Sequence, residues 1–92
     1  RMRMMPFLRN AQRYVAPACQ FVQFQPDTED AGFKGNLLLR AGIDNQHLII
    51  ERILPAENMN VFEVPQGIKR PEGVTGVALD STGEIYFFLG PL

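Results

Sequence analysis

The stretch GVTGVALDSTGEIYFFL, residues 73–89, indicates its shape more clearly than any other part of the chain. Two apolar segments rich in strand-forming residues flank a short polar turn. Asp80 opens that turn, and Gly83 stands where a three-residue hairpin loop needs a positive φ. The sequence therefore predicts a β-hairpin whose turn depends on Gly83. Because an isolated hairpin is marginal in water, other parts of the chain must cover it.

Residues 6–16 (PFLRNAQRYVA) show helical rather than strand periodicity. Their apolar side chains recur at spacings of three and four, with arginine and glutamine between them. Pro6 suits a first helical turn, and Pro17 would end the helix. We expect a helix that packs on a sheet, after an arm at residues 1–5 that frays. A cationic helix on a membrane, or a targeting presequence, is the alternative interpretation.

Residues 19–89 contain short apolar segments separated by turns, with no helical segment required between them. Strands are predicted over residues 19–25, 36–41, 47–54 and 59–64, ahead of the hairpin. Residues 44–54 also fit a helix capped by Asp44, but the short connections favour a strand paired with residues 59–64. The predicted fold is α+β: one N-terminal helix on an antiparallel β-meander of five to six strands, either open or curled toward a small barrel.

Length and composition indicate one small soluble domain covering residues 1–92. Apolar residues make up 46% of the chain and charged residues 21%, as in ordinary globular proteins. No apolar run approaches the roughly 18 residues that span a bilayer. The single cysteine, Cys19, excludes an internal disulfide and is expected to be buried. Its unpaired thiol favours the cytoplasm slightly over an oxidising compartment, and the localisation is otherwise open.

Charge is distributed unevenly along the chain. Residues 1–18 carry four arginines and no acid, whereas the remainder carries five basic and ten acidic residues. The split is therefore +4 and −5 around a net charge of −1. Four arginines are few for a nucleic-acid interface, so the sequence gives no strong nucleic-acid signal.

No motif for catalysis, cofactor binding or metal binding is found in the sequence. His47 is the only histidine, and Ser81 lies outside any GxSxG motif. The acidic loop at residues 26–35 lacks the terminal glutamate of a calcium-binding loop, so it is predicted to be solvated. We therefore expect no catalytic, cofactor-binding or metal site, and the sequence favours a protein that is not an enzyme.

Surplus apolar surface leads to the functional hypothesis. Both faces of the predicted strands are apolar, whereas a single helix covers only one face of a small sheet. We therefore predict a protein-interaction or assembly module that associates with itself, as a homodimer, or with another protein. The candidate interface residues are Phe62, Tyr86 and Phe88. The alternative is a small hydrophobic-ligand carrier in which a curled sheet encloses an aromatic pocket.

A third interpretation comes from the order of the predicted elements. A basic amphipathic helix followed by a β-meander resembles the soluble part of a type IV pilin-like protein. The resemblance extends over the whole chain but is architectural, without the apolar N-terminal segment of that family. It implies a role in assembly with other protein subunits.

Overall fold

A computed structural model describes residues 2–26, 35–41 and 44–90, and most of them lie in β-strands. In chain order the strands are β1 (Met2–Arg9), β2 (Gln12–Pro17), β3 (Phe21–Pro26), β4 (Gly35–Ala41), β5 (Asp44–Ile50), β6 (Arg52–Ile53), β7 (Glu57–Phe62), β8 (Val74–Leu79) and β9 (Ile85–Leu89). A short 3-10 helix, Ala18–Gln20, links β2 to β3. No α-helix occurs among the described residues.

The predicted α+β fold is therefore wrong, because residues 6–16 do not form a helix packed on a meander. They belong to β1 and β2, which pair as an antiparallel hairpin with Phe7 opposite Tyr14. The middle of β1 and the second half of β2 are buried on both faces, so the alternation of apolar and polar residues that marks a strand is lost there. The likeness to type IV pilin-like proteins depended on that helix and loses its basis. Residues 2–5, expected as an arm, lie in β1.

Five strands form a closed ring. Strand β1 pairs with β2, β2 with β9, β9 with β8, β8 with β7, and β7 returns to β1. The pairing of β2 with β9 is parallel and the other four are antiparallel, so the sheet is mixed rather than a meander. Strand β6 continues beyond β7 along the same edge of β1.

Pro6 lies inside β1 at the point where the partner of this strand changes. Strand β7 pairs with the residues up to Met4, and β6 pairs with Phe7 and the residue after it. The carbonyl of Pro6 accepts the N–H of Leu54 at 2.9 Å. The nitrogen and the carbonyl of one strand residue face the same edge of the strand, so the nitrogen of Pro6 also faces the side of β6 and β7. Proline has no N–H to donate, and this position lies between the residues that pair with β7 and those that pair with β6. Pro6 therefore interrupts no regular ladder.

Two apolar cores hold the molecule together. Strands β3, β4 and β5 form a second, antiparallel sheet that covers part of the outside of the ring. The core between the sheets contains Phe7, Tyr14, Ala16, Val74 and Leu89 of the ring with Leu37, Leu48 and Ile50 of the second sheet. The core inside the ring contains Met4, Val15, Met59, Ala78, Tyr86 and Phe88. Each ring strand contributes at least one side chain to the inner core.

Other sequence-based predictions have mixed outcomes. The hairpin at residues 73–89 is confirmed as β8 and β9. Residues 44–54 are extended over β5 and β6, as predicted, but these strands pair with β4 and β1, so the predicted pairing with residues 59–64 is wrong. Cys19 is exposed, so its predicted burial is also wrong. Most of the acidic loop, residues 27–34, lies outside the described residues.

Candidate functional site

Three large apolar side chains are exposed next to one another on the outer face of the ring. Phe62 is 49% exposed, Leu79 41% and Ile85 44%. Leu79 lies opposite Ile85, and Phe62 lies opposite Val77, two residues before Leu79 on the same face of β8. Directly opposite and diagonal positions on one face of a sheet are side-chain neighbours. We refer to Phe62, Leu79 and Ile85 as the exposed patch.

The exposed patch begins where the second sheet stops covering the ring. Along β9, Phe87 and Leu89 share the outer face with Ile85 and pack against the core between the sheets. Ile85, which is not part of that core, remains exposed. Single exposed apolar residues are normal on protein surfaces, whereas a contiguous group marks a surface suited to contact.

Uncharged residues occupy the positions next to the exposed patch on the outer face of its own three strands. The neighbouring outward positions of β7, β8 and β9 are occupied by Asn60, Val77 and Phe87. A surface that consists of large apolar groups and one amide can be covered by another apolar surface without removing an ion from water. The exposed patch is therefore a candidate contact surface.

The interface residues predicted from the sequence occupy two different environments. Phe62 lies in the exposed patch, whereas Tyr86 and Phe88 lie inside the ring, with exposures of 7% and 1%. The inner and outer faces alternate along β9, so Tyr86 and Phe88 face away from Ile85. Leu79 and Ile85 were missed because the uncovered face of the hairpin depends on where the second sheet packs.

Asp80 fixes the turn beside the exposed patch. Its Oδ1 accepts the hydroxyl of Thr82 at 2.6 Å and the N–H groups of Thr82 and Glu84 at 2.8 and 3.0 Å. The bond from the Thr82 hydroxyl is the largest of the effects that lower the pKa of the Asp80 carboxyl. Gly83 completes the turn with a φ of +86°. The carboxylate therefore stabilises the hairpin.

Tyr86 connects this turn to the core inside the ring. Its hydroxyl donates to Oδ2 of Asp80 at 3.1 Å. Burial, and then this hydrogen bond, raise the pKa of the Tyr86 phenol. Within the described part of the chain, every buried side-chain nitrogen and oxygen has a hydrogen-bond partner. The aromatic core inside the ring thus includes one phenol whose hydroxyl is satisfied.

Side chains that commonly bind metal ions do not converge in the described part of the molecule. No cluster of three His, Cys, Asp or Glu side chains there could hold a metal ion. His47 is exposed on β5, and Cys19 is exposed in the 3-10 helix. Within residues 2–26, 35–41 and 44–90, no helix is long and apolar enough to cross a membrane.

Comparison with known proteins does not assign the chain to a family. No protein-family model matches it, and no curated protein matches it at a significant level. The function therefore has to be inferred from the surfaces described above.

Proposed function

We propose that the chain is a non-enzymatic protein-interaction module that associates with a second copy of itself through the exposed patch. The observation that supports this proposal is the contiguous exposure of Phe62, Leu79 and Ile85 on one face of the ring. Removing apolar surface from water contributes roughly 25 cal/mol per Å². Covering these three side chains is therefore favourable for any partner with a matching apolar face.

A second copy is a suitable partner because the exposed patch carries no charge. A two-fold axis sets the same patch of both copies against itself, so a charge near the axis would lie close to its own like charge. The outward positions around the patch, Asn60, Val77 and Phe87, avoid that repulsion. The strands that carry the patch are paired inside the closed ring, so contact uses the face of the sheet rather than its edge.

The size of the exposed patch indicates a weak, reversible dimer. Stable complexes bury about 800 Å² on each partner, which would be about one-eighth of the accessible surface of 6,216 Å² in this chain. Three partly exposed side chains supply only the centre of such an interface. We therefore expect a dissociation constant of tens to hundreds of micromolar, on the order of −5 to −6 kcal/mol.

Packing inside the ring favours the interaction module over the carrier. An enclosed aromatic pocket would need space among the inward side chains. Met4, Val15, Met59 and Phe88 are each at most 1% exposed and pack in one cluster. Small closed sheets are commonly filled by their own side chains in this way.

Sedimentation equilibrium over a wide range of protein concentration tests the proposal. From about 10 µM to about 1 mM, we expect the mass of the wild type to rise above the monomer value of 10.4 kDa. Phe62→Asp places a charge in the exposed patch and should keep the mass at that of a monomer. Ile49→Asp is the matched control, since Ile49 is 75% exposed on β5 of the second sheet.

Two outcomes would contradict self-association through the exposed patch. One is a wild type that remains monomeric over the whole concentration range. The other is equal association of Phe62→Asp and Ile49→Asp, which would place the contact elsewhere. Far-UV circular dichroism on both variants verifies that they retain the strand content of the wild type.

A further inference from the structure

A hollow of about 320 Å³ lies outside the ring, and none of the exposed-patch residues lines it. It is lined by Phe24 of β3 and by Arg52, Ile53, Leu54 and Pro55 at β6 and the connection to β7. Small-molecule sites have volumes of about 300–1,000 Å³. The hollow therefore lies at the lower end of the range of small-molecule sites.

The hollow has an apolar floor that the fold holds in place. Phe24 and Ile53 pack against the core between the sheets, and Leu54 packs against the core inside the ring. The N–H of Leu54 donates to the carbonyl of Pro6 at 2.9 Å, and Ile53 lies opposite Phe7 of β1. Because both cores fix these residues, an apolar ligand would bind with little ordering of the protein.

Arg52 adds a positive charge to this otherwise apolar lining. Its side chain is exposed, and it forms no ion pair with any residue that the structure describes. The acidic residues nearest to it in the sequence are engaged elsewhere. Glu51 accepts a backbone N–H of the β1–β2 turn at 3.0 Å, and Glu57 accepts one of the β8–β9 turn at 3.0 Å. The guanidinium is therefore available to a carboxylate, which it binds with matched geometry.

We propose that this hollow binds a small apolar monocarboxylate. Phe24, Ile53 and Leu54 would contact the apolar body of the ligand, and Arg52 would bind its carboxylate. The apolar floor selects against highly polar molecules, and the guanidinium selects for a negative charge. The site is independent of self-association, because the two surfaces share no residue.

Three ligands of equal chain length separate charge recognition from apolar contact. Titrations of wild-type protein with hexanoate, 1-hexanol and hexylamine are followed by amide ¹H–¹⁵N spectra at one pH. Hexanoate should shift the amides of Phe24, Arg52, Ile53 and Leu54 with an affinity of about millimolar. It should bind at least about tenfold more tightly than 1-hexanol, and hexylamine should bind more weakly still.

Arginine variants locate the carboxylate. Arg52→Gln should reduce the affinity for hexanoate to that for 1-hexanol, and Arg52→Lys should restore part of the difference. Arg70→Gln is the matched control, because Arg70 is exposed but does not line the hollow. Equal binding of hexanoate and 1-hexanol by the wild type would overturn the proposal, as would shifts spread over the whole chain. The ligand comparison needs no variant and remains decisive if Arg52→Gln does not fold.

Discussion

The hairpins β1–β2 and β8–β9 lie side by side in one ring, yet only the β8–β9 hairpin can be recognised from the residues of its turn. The β8–β9 turn contains Asp80 as a side-chain acceptor and Gly83 at a φ of +86°. The β1–β2 turn contains Asn10 and Ala11 at φ values of +51° and +60°, with no glycine. Turn chemistry identifies the first hairpin locally, whereas the second depends on the packing around it.

The two hairpins also differ in burial: β1–β2 contributes to both cores, whereas part of β8–β9 is exposed. The β1–β2 strands place Phe7 and Tyr14 in the core between the sheets, with ring centroids 5.7 Å apart, and Met4 and Val15 in the core inside the ring. Part of β8–β9 is exposed on the outer face. The β1–β2 hairpin, whose turn contains no glycine, is thus packed in both cores. Its strands are determined by tertiary packing rather than by the residues of the turn.

Phe7→Ala should produce the largest loss of stability among the changes that distinguish the two hairpins. Phe7 is fully buried and stacks on Tyr14, so its removal should cost about 3–5 kcal/mol in a domain whose total stability is of order 5–15 kcal/mol. Urea unfolding followed by circular dichroism measures the change. Met2→Ala, at the exposed start of the same strand, should cost less than about 1 kcal/mol. Equally small losses in both variants would be inconsistent with a buried β1.

Gly83→Val should destabilise the β8–β9 turn by about 1 kcal/mol or more. The positive φ of Gly83 disfavours any β-branched residue, and a Cβ at this position would have no neighbour within 4 Å. The loss therefore reports backbone conformation rather than crowding. Ser81→Ala in the same turn should have little effect on the urea midpoint. Equal midpoints for Gly83→Val and the wild type would count against the turn.

Ala11→Gly should change the stability in the direction opposite to Gly83→Val, raising the free energy of unfolding by up to about 1 kcal/mol. Ala11 has a φ of +60°, which glycine adopts without the steric cost of a Cβ. Ala18→Gly is the control, because Ala18 in the 3-10 helix has no positive φ and should lose stability. The same urea midpoints measure both. A loss of stability in Ala11→Gly would argue against this conformation of the β1–β2 turn.

The smallest effect concerns the pH dependence of the β8–β9 turn. The pKa of Asp80 is lower in the folded protein than its ordinary value of 3.8. Such a group adds stability above its unfolded pKa and loses that contribution as the pH falls through its folded pKa. The stability difference between wild type and Asp80→Asn should therefore shrink from about pH 6 to about pH 2.5. Glu72→Gln, at an exposed loop position, is the control. A difference that stays constant with pH would contradict the role of Asp80.

The parts of this fold that could be predicted are those determined by residues close together in the sequence. The turn residues Asp80 and Gly83 predict the β8–β9 hairpin, and β-branched residues between short connections predict a strand within residues 44–54. Ring closure has no such signal, since the parallel contact of Val15 with Phe88 joins residues far apart in the sequence. The exposed patch was predicted only at Phe62, because the exposure of Leu79 depends on where the second sheet packs.

The most direct test of the account is whether residues 6–16 form the strands that close the ring. Cα chemical shifts and nuclear Overhauser effects on the intact chain measure this. We predict strand-type shifts through both strands, cross-strand contacts between Phe7 and Tyr14, and contacts from Tyr14 to Phe87 across the parallel pair. Helical shifts over residues 6–16, with contacts between residues three and four apart and none to Phe87, would contradict the closed ring.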